Sequence, residues 1–211
     1  ALAQNIHLGD NDIVFRCNLI SVEDRKISDF TSKMISNQDA LNIISNLKIE
    51  DENIEIYAGQ SYRNLLVVRD ANISARDIIA HEPHSNINTP INEILLDSLN
   101  HEVKKLTDRL NSILLDSIKQ IKELNKKFKT KADMIWLWSP SIPPKMPSFN
   151  NKFNMNGSIV AGLDFLRGLG EAARMESKEI RGATGYLDTN LKEKLKYAKN
   201  FLRNNDFLLV H

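Results

Sequence analysis

The sequence predicts an α/β protein built from two different rhythms, and three observations carry that expectation. From residue 134 onward, strand-like and helix-like runs alternate: MIWLW (134–138), SIVAG (158–162), KEI (178–180) and FLLVH (207–211) read as strands with helical spacing between them. Such alternation is the pattern of a parallel sheet with crossover helices. Ahead of it, IEIYAG (54–59) and YRNLLVVR (62–69) meet at a glycine-containing turn, and a long amphipathic pattern follows. A hairpin with one long helix belongs to an α+β unit.

Taken in order, IVFRCNLISV (13–22) is β-rich and apolar except at its middle. Residues 37–48 place Ala40, Leu41, Ile44 and Leu47 at helical spacing. The runs at 54–59 and 62–69 form a hairpin. Residues 70–91, with Pro83, Pro90 and several Asn, read as a loop. One amphipathic helix is expected over roughly 92–128, since Ile94, Leu95, Leu99, Val103, Leu106, Leu110 and their successors recur mostly every three or four positions. Four prolines in 139–147 exclude regular structure there. Helices are expected over 162–175 and 190–204.

With 28 basic and 27 acidic residues the net charge is +1, and no Lys/Arg-rich block stands out, which argues against nucleic acid and an anionic membrane surface as partners. No run of 18 apolar residues offers a membrane span. The one cysteine, Cys17, cannot form an internal disulfide, so a cytoplasmic setting is expected. Its apolar surroundings, with no neighbouring His, read as a packed thiol more than a nucleophile. No feature specifies an oligomeric state.

Nucleophile elbows, Walker loops and dinucleotide fingerprints are absent from the sequence. His81 and His84 in HEPH are spaced for a metal, but Pro83 between them argues against a helical zinc site, and His84 is better read as a substrate or phosphate contact. Arg16 interrupts an apolar strand, where an unpaired guanidinium is costly to bury; it serves either an internal ion pair, Asp188 being one partner, or an anion. Arg63 and Arg69 flank the second hairpin strand, and convergent arginines suit a phosphorylated acid because the planar fork meets phosphate or carboxylate bidentately. GATGYLDTN (182–190) follows a strand-like run and precedes a helical one. It is either a turn with Asp188 or Thr189 as helix cap, or a ligand loop at a sheet's carboxyl edge with Asp188 facing the ligand.

These landmarks, FRCNL (15–19), DRKISDFTSKMIS (24–36), YAGQSYRNLLV (57–67), EPH (82–84), IWLW (135–138), PSF (147–149), DFLRGLGEAARME (164–176), GATGYLDTN and DFLLVH (206–211), resemble in order and spacing the cofactor-independent phosphoglycerate mutases of the archaeal type. GATGYLDTN and RCN are the most specific parts. The resemblance implies part of an alkaline-phosphatase-like core sheet, from residues 1–23 and 134–211, with an inserted α+β cap over 24–133. It implies glycolytic isomerisation of 2- and 3-phosphoglycerate through a phosphoserine enzyme, without 2,3-bisphosphoglycerate. The intact enzyme would use divalent metal, Mn2+ or Mg2+ with Zn2+ as a third option. Arg16, Arg63, His84 and Asp188 are the implied substrate contacts, for a small phosphorylated acid, with Arg16 and Arg63 expected in one cleft between core and cap. The nucleophile and most metal ligands are expected outside this segment, so no residue here is assigned as catalytic or as a metal ligand.

The chain departs from the family at SPSIPPKMP (139–147), at NKKFKTKAD (125–133) and at Asn64, where relatives usually have His. The alternatives are a diverged, non-catalytic relative that binds a phosphorylated ligand or partner, and another phosphomutase or phosphatase of the superfamily.

Overall fold

A computed structural model describes residues 1–211. The chain forms two compact units, Gly9–Pro143 and a second made of Ala1–Leu8 with Pro144–His211.

The first unit is organised on β1 (Ile13–Glu23). Asp24 and Arg25, both at positive φ, turn the chain into β2 (Lys26–Asp29), the geometry a two-residue hairpin requires. Helix α1 (Asn37–Ile44) starts at Ser36, whose side chain accepts from the Asp39 amide. Strands β3 (Ile54–Gln60) and β4 (Arg63–Val68) are the expected hairpin, with Ser61 at φ 56 in its turn. Short strands β5 (Ile78–Ile79) and β6 (Asp97–Ser98) pair with each other. Helix α2 (His101–Phe128) precedes β7 (Met134–Ser141). The sheet runs β2–β1–β4–β3, with β7 antiparallel on the other side of β1. Phe15, Cys17 and Leu19 of β1 enter one core with Leu110, Leu114 and Ile121 of α2.

The second unit holds α3 (Phe149–Phe153), β8 (Gly157–Val160), α4 (Asp164–Ala172), β9 (Glu176–Ser177), α5 (Leu191–Phe201) and β10 (Phe207–Val210). Its three strands are parallel in the order β10–β8–β9, over a small core of Val160, Ile180, Ala198 and Phe201.

Several expectations shift. The long helix begins at His101, not near 92, because Asn100 caps it by accepting from the Val103 amide at 3.0 Å. The preceding Leu96 is held beside the helix by both halves of the Asn111 amide, so apolar spacing continued where the helix did not. The segment 70–91 is less irregular than expected, since it contains β5. Strand β7 runs through Pro140 because β7 is an edge strand that bulges there, with Ser139 at φ 52. The strand expected at 178–180 lies at Glu176–Ser177. Most consequentially, β7 does not start the parallel sheet; it pairs with β1. The expected divisions at 23/24 and 133/134 are displaced to 8/9 and 143/144, and β1 and β7 group with residues 24–133. No helix is long and apolar enough to cross a membrane.

Candidate functional site

Strand alternation sets the first cluster. Arg16 and Asn18, two positions apart on β1, share one face, while Cys17 points into the core behind them. In register, Asn18 is opposite Arg63 of β4 and opposite Trp136 of β7, and Arg16 is opposite Trp138. Arg16 and Arg63 are therefore diagonal neighbours on one sheet face, about 7–8 Å apart at the backbone. The segment bearing both histidines crosses this face: the Trp136 indole donates to the His81 carbonyl at 2.8 Å.

A continuous series of ring contacts joins the two guanidinium groups. The Arg16 guanidinium carbon lies 4.7 Å from the Trp138 ring centroid. Trp138 meets His84 edge-on at 5.5 Å, His84 meets Phe30 at 5.9 Å, and Phe30 meets Tyr62 at 6.0 Å. Arg63 then lies over Tyr62 at 4.2 Å. Each contact is modest, but quadrupole attraction helps to aim both cations. His84 adds a charge that depends on protonation, with its Nε2 at 3.2 Å from the Glu82 carboxylate.

Two local devices hold this arrangement. Buried Asn64 accepts from the Gly59 amide and donates to the Tyr62 carbonyl, which closes the hairpin immediately before Arg63. Phe30 is presented by a turn in which Ser32, Lys33 and Met34 are all left-handed, at φ 50, 55 and 58. The Asp29 carboxylate stabilises that turn by accepting from Thr31 N, Thr31 Oγ1 and Lys33 N at 2.7, 2.6 and 3.0 Å. Burial, the largest single influence, pushes the Asp29 carboxyl up, but these donors together outweigh it and hold the group below its usual range.

Of the residues marked in the sequence, Arg16, Arg63 and His84 come together here. Arg69 does not join them: its guanidinium is committed to Asp12 at 2.7 Å and to Glu55 at 2.5 Å. Asp188 belongs to the other unit. The sequence reading missed Trp138, Asn18 and Phe30 as neighbours of the arginines. Alternation along 16–18 was the available signal for Asn18; the other two depend on pairings distant in sequence.

In the second unit GATGYLDTN follows the carboxyl end of β9 and leads into α5. Gly162, just past the end of β8, approaches it so closely that a Cβ there would lie 2.6 Å from the Thr184 carbonyl oxygen. Asn190 caps α5 by accepting from the Glu193 amide at 3.1 Å, so neither Asp188 nor Thr189 is the cap. Thr189 Oγ1 instead accepts from the Thr184 amide at 2.9 Å. Exposed Asp188 accepts from the Thr184 hydroxyl at 2.7 Å. The loop is therefore closed by its own polar side chains.

Burial pushes the Cys17 thiol far up, which leaves it no thiolate to act as a nucleophile. No three His, Cys, Asp or Glu side chains are grouped to hold a metal ion, so the residues present do not make a divalent-metal site.

Residues 1–125 match the profile of a family described as 2,3-bisphosphoglycerate-independent phosphoglycerate mutase. A protein of that name, numbered 2, from Methanothermobacter thermautotrophicus is 34% identical over 218 residues, covering 100% of this chain and 52% of the relative. One from Methanosarcina barkeri is 31% identical over 217 residues, with 100% and 53% covered. The chain thus spans about half the length of the curated relatives it matches. Among solved structures, the cofactor-independent phosphoglycerate mutase of Thermoplasma acidophilum superposes with a TM-score of 0.58 at 22% identity, covering 100% of this chain and 58% of that one. A Pyrococcus horikoshii protein superposes with a TM-score of 0.66 at 17% identity, covering 100% and 49%. At these identities the two structures speak for the fold.

Proposed function

The chain belongs to the 2,3-bisphosphoglycerate-independent phosphoglycerate mutase family, and on that premise we propose that it serves the interconversion of 2-phosphoglycerate and 3-phosphoglycerate through a phosphoserine intermediate. The observation that carries the proposal is the placement of Arg16 and Arg63 on one sheet face, joined by the ring series through Trp138, His84, Phe30 and Tyr62.

A phosphoglycerate carries two anionic ends on three carbons, so its recognition calls for two forked donors a short distance apart. Arg16 and Arg63 supply them, one for the carboxylate and one for the phosphoryl group. Trp138 and Tyr62 keep the forks aimed, and His84 stands between the two as a further donor. Asp188, exposed at the carboxyl edge of the parallel sheet, is a further candidate contact. A metal would polarise the phosphoryl oxygens, but these residues do not form its site. The work assigned to this chain is binding and orientation. Its lone, buried thiol supports a reducing cytoplasm as the place of action.

The direct test is titration of the chain with 3-phosphoglycerate while the arginine Nε–Hε NMR signals are followed. Saturable shifts confined to Arg16 and Arg63 are expected. Uniform or absent shifts with 3-phosphoglycerate would remove the proposal.

A further inference from the structure

We propose that Asn18 is a positioning residue that sets the aim and separation of the Arg16 and Arg63 guanidinium groups; the functional meaning of that separation rests on the reading above.

Asn18 is 4% exposed, and a buried side-chain amide must satisfy both its oxygen and its nitrogen. It does so in two directions. Its Oδ1 accepts from Trp138 Nε1 at 3.0 Å, and its Nδ2 donates to the Phe30 carbonyl at 3.1 Å. The orientation of the amide follows from its partners, because an indole N–H only donates and a carbonyl only accepts. One bond reaches the ring series at Trp138, its Arg16 end; the other reaches the backbone of Phe30, one ring short of its Arg63 end at Tyr62. Trp138 carries Arg16, while Phe30 touches both His84 and Tyr62, and Tyr62 carries Arg63. Asn18 also stands directly opposite Arg63 in the β1–β4 register. One side chain therefore ties the seats of both cations to a single point on β1.

Packing alone does not account for this residue. Leucine has a similar volume and would fill the space, but it would leave the Trp138 indole and the Phe30 carbonyl without this partner. Arg16 is exposed, so its side chain has freedom to lose on binding. A fixed indole reduces the freedom that the Arg16 side chain gives up when it meets an anion. The contribution should accordingly appear in affinity.

A thermodynamic cycle in the full chain tests this, with 3-phosphoglycerate as the probe and calorimetry as the readout. Arg16→Gln and Asn18→Leu are made singly and together. Asn18→Leu is expected to weaken binding about tenfold, the order of one or two hydrogen bonds. Its effect should be smaller once Arg16 is Gln, the remainder acting through Arg63. Additive effects, or unchanged binding in Asn18→Leu, overturn the inference. A second arm needs no ligand: 15N relaxation of Arg16 Nε should show a looser side chain in Trp138→Phe, which removes the indole donor and keeps a ring. Unchanged order there overturns the inference even if Asn18→Leu fails to fold. Should Arg16→Gln leave 3-phosphoglycerate binding untouched while Arg16 is still ordered through Asn18, the functional reading fails and the positioning role stands.

Discussion

Arg16 and Trp138 are partners twice, as opposite residues in the β1–β7 register and as a guanidinium 4.7 Å from an indole centroid. Antiparallel pairing puts the two side chains on the same face, and the bulge at Ser139–Pro140 lies just beyond them. An exposed arginine on a flat strand would sample many rotamers; this one has a ring to lie on. The same logic applies to Arg63 on Tyr62, and it gives the first prediction.

Arg63→Lys should weaken 3-phosphoglycerate binding by about tenfold or more while the melting temperature holds. Lysine keeps the charge but loses both the planar fork and the flat contact with Tyr62. Calorimetry beside a thermal melt checks it; equal loss of binding and stability would count against a ligand role.

Acid should destabilise the first unit through Arg69. Arg69, and after it Tyr57, hold the Glu55 carboxyl below its usual range. For Asp12, burial is the largest single influence and pushes upward, but the Gly9 amide, Arg69 and the Asp70 amide together bring the group below its usual range. Carboxyls depressed in the folded state stabilise it above the unfolded value of about 4, and that contribution is lost as pH falls through the lower folded values. Denaturation free energies measured from neutral pH downward should therefore drop below pH about 4. In Arg69→Met the acid-side slope should be shallower, on a lower plateau at neutral pH.

Asn190→Ala should cost about 1 kcal/mol, the worth of a lost helix cap. Asp188→Ala should cost about 0.5 kcal/mol or less, since its one bond to Thr184 is exposed. Urea titrations of both variants decide the matter, and the reverse order would restore Asp188 as the structural residue. A ligand role for Asp188 would show separately, as altered 3-phosphoglycerate affinity in Asp188→Asn with the melting temperature held.

Lys33→Gly should stabilise the protein by about 1 kcal/mol, because Lys33 sits at φ 55, where only glycine avoids the left-handed penalty. The amide that donates to Asp29 is kept, and the exposed Lys33–Asp29 pair at 3.7 Å contributes little. Lys33→Val should move the denaturation midpoint the other way.

Cys17 should resist alkylation in the native chain and react at an ordinary thiol rate once unfolded, since it is fully buried with its thiol pushed up. Time courses with iodoacetamide with and without denaturant measure this. Fast native labelling would show that β1 opens readily.

Much of this protein was legible without coordinates, and the legible parts share a cause. The 54–69 hairpin, the body of α2 from 101 to 128 and the helix after GATGYLDTN depend on contacts between near neighbours in sequence, which periodicity, turn residues and caps report directly. Arg16, Arg63 and His84 could be marked because their side-chain chemistry is local too. What the tertiary structure alone decided was partnership. Strand β7 reads the same whether it opens a parallel sheet or pairs antiparallel with β1, since alternation fixes which residues share a face but not which strand lies alongside. The unit boundaries moved with that pairing. Asn18 and Trp138 are 120 residues apart, and their hydrogen bond exists only because β1 and β7 adopt one register; a shift of one residue would turn Arg16 toward the core and Cys17 toward the opposite face.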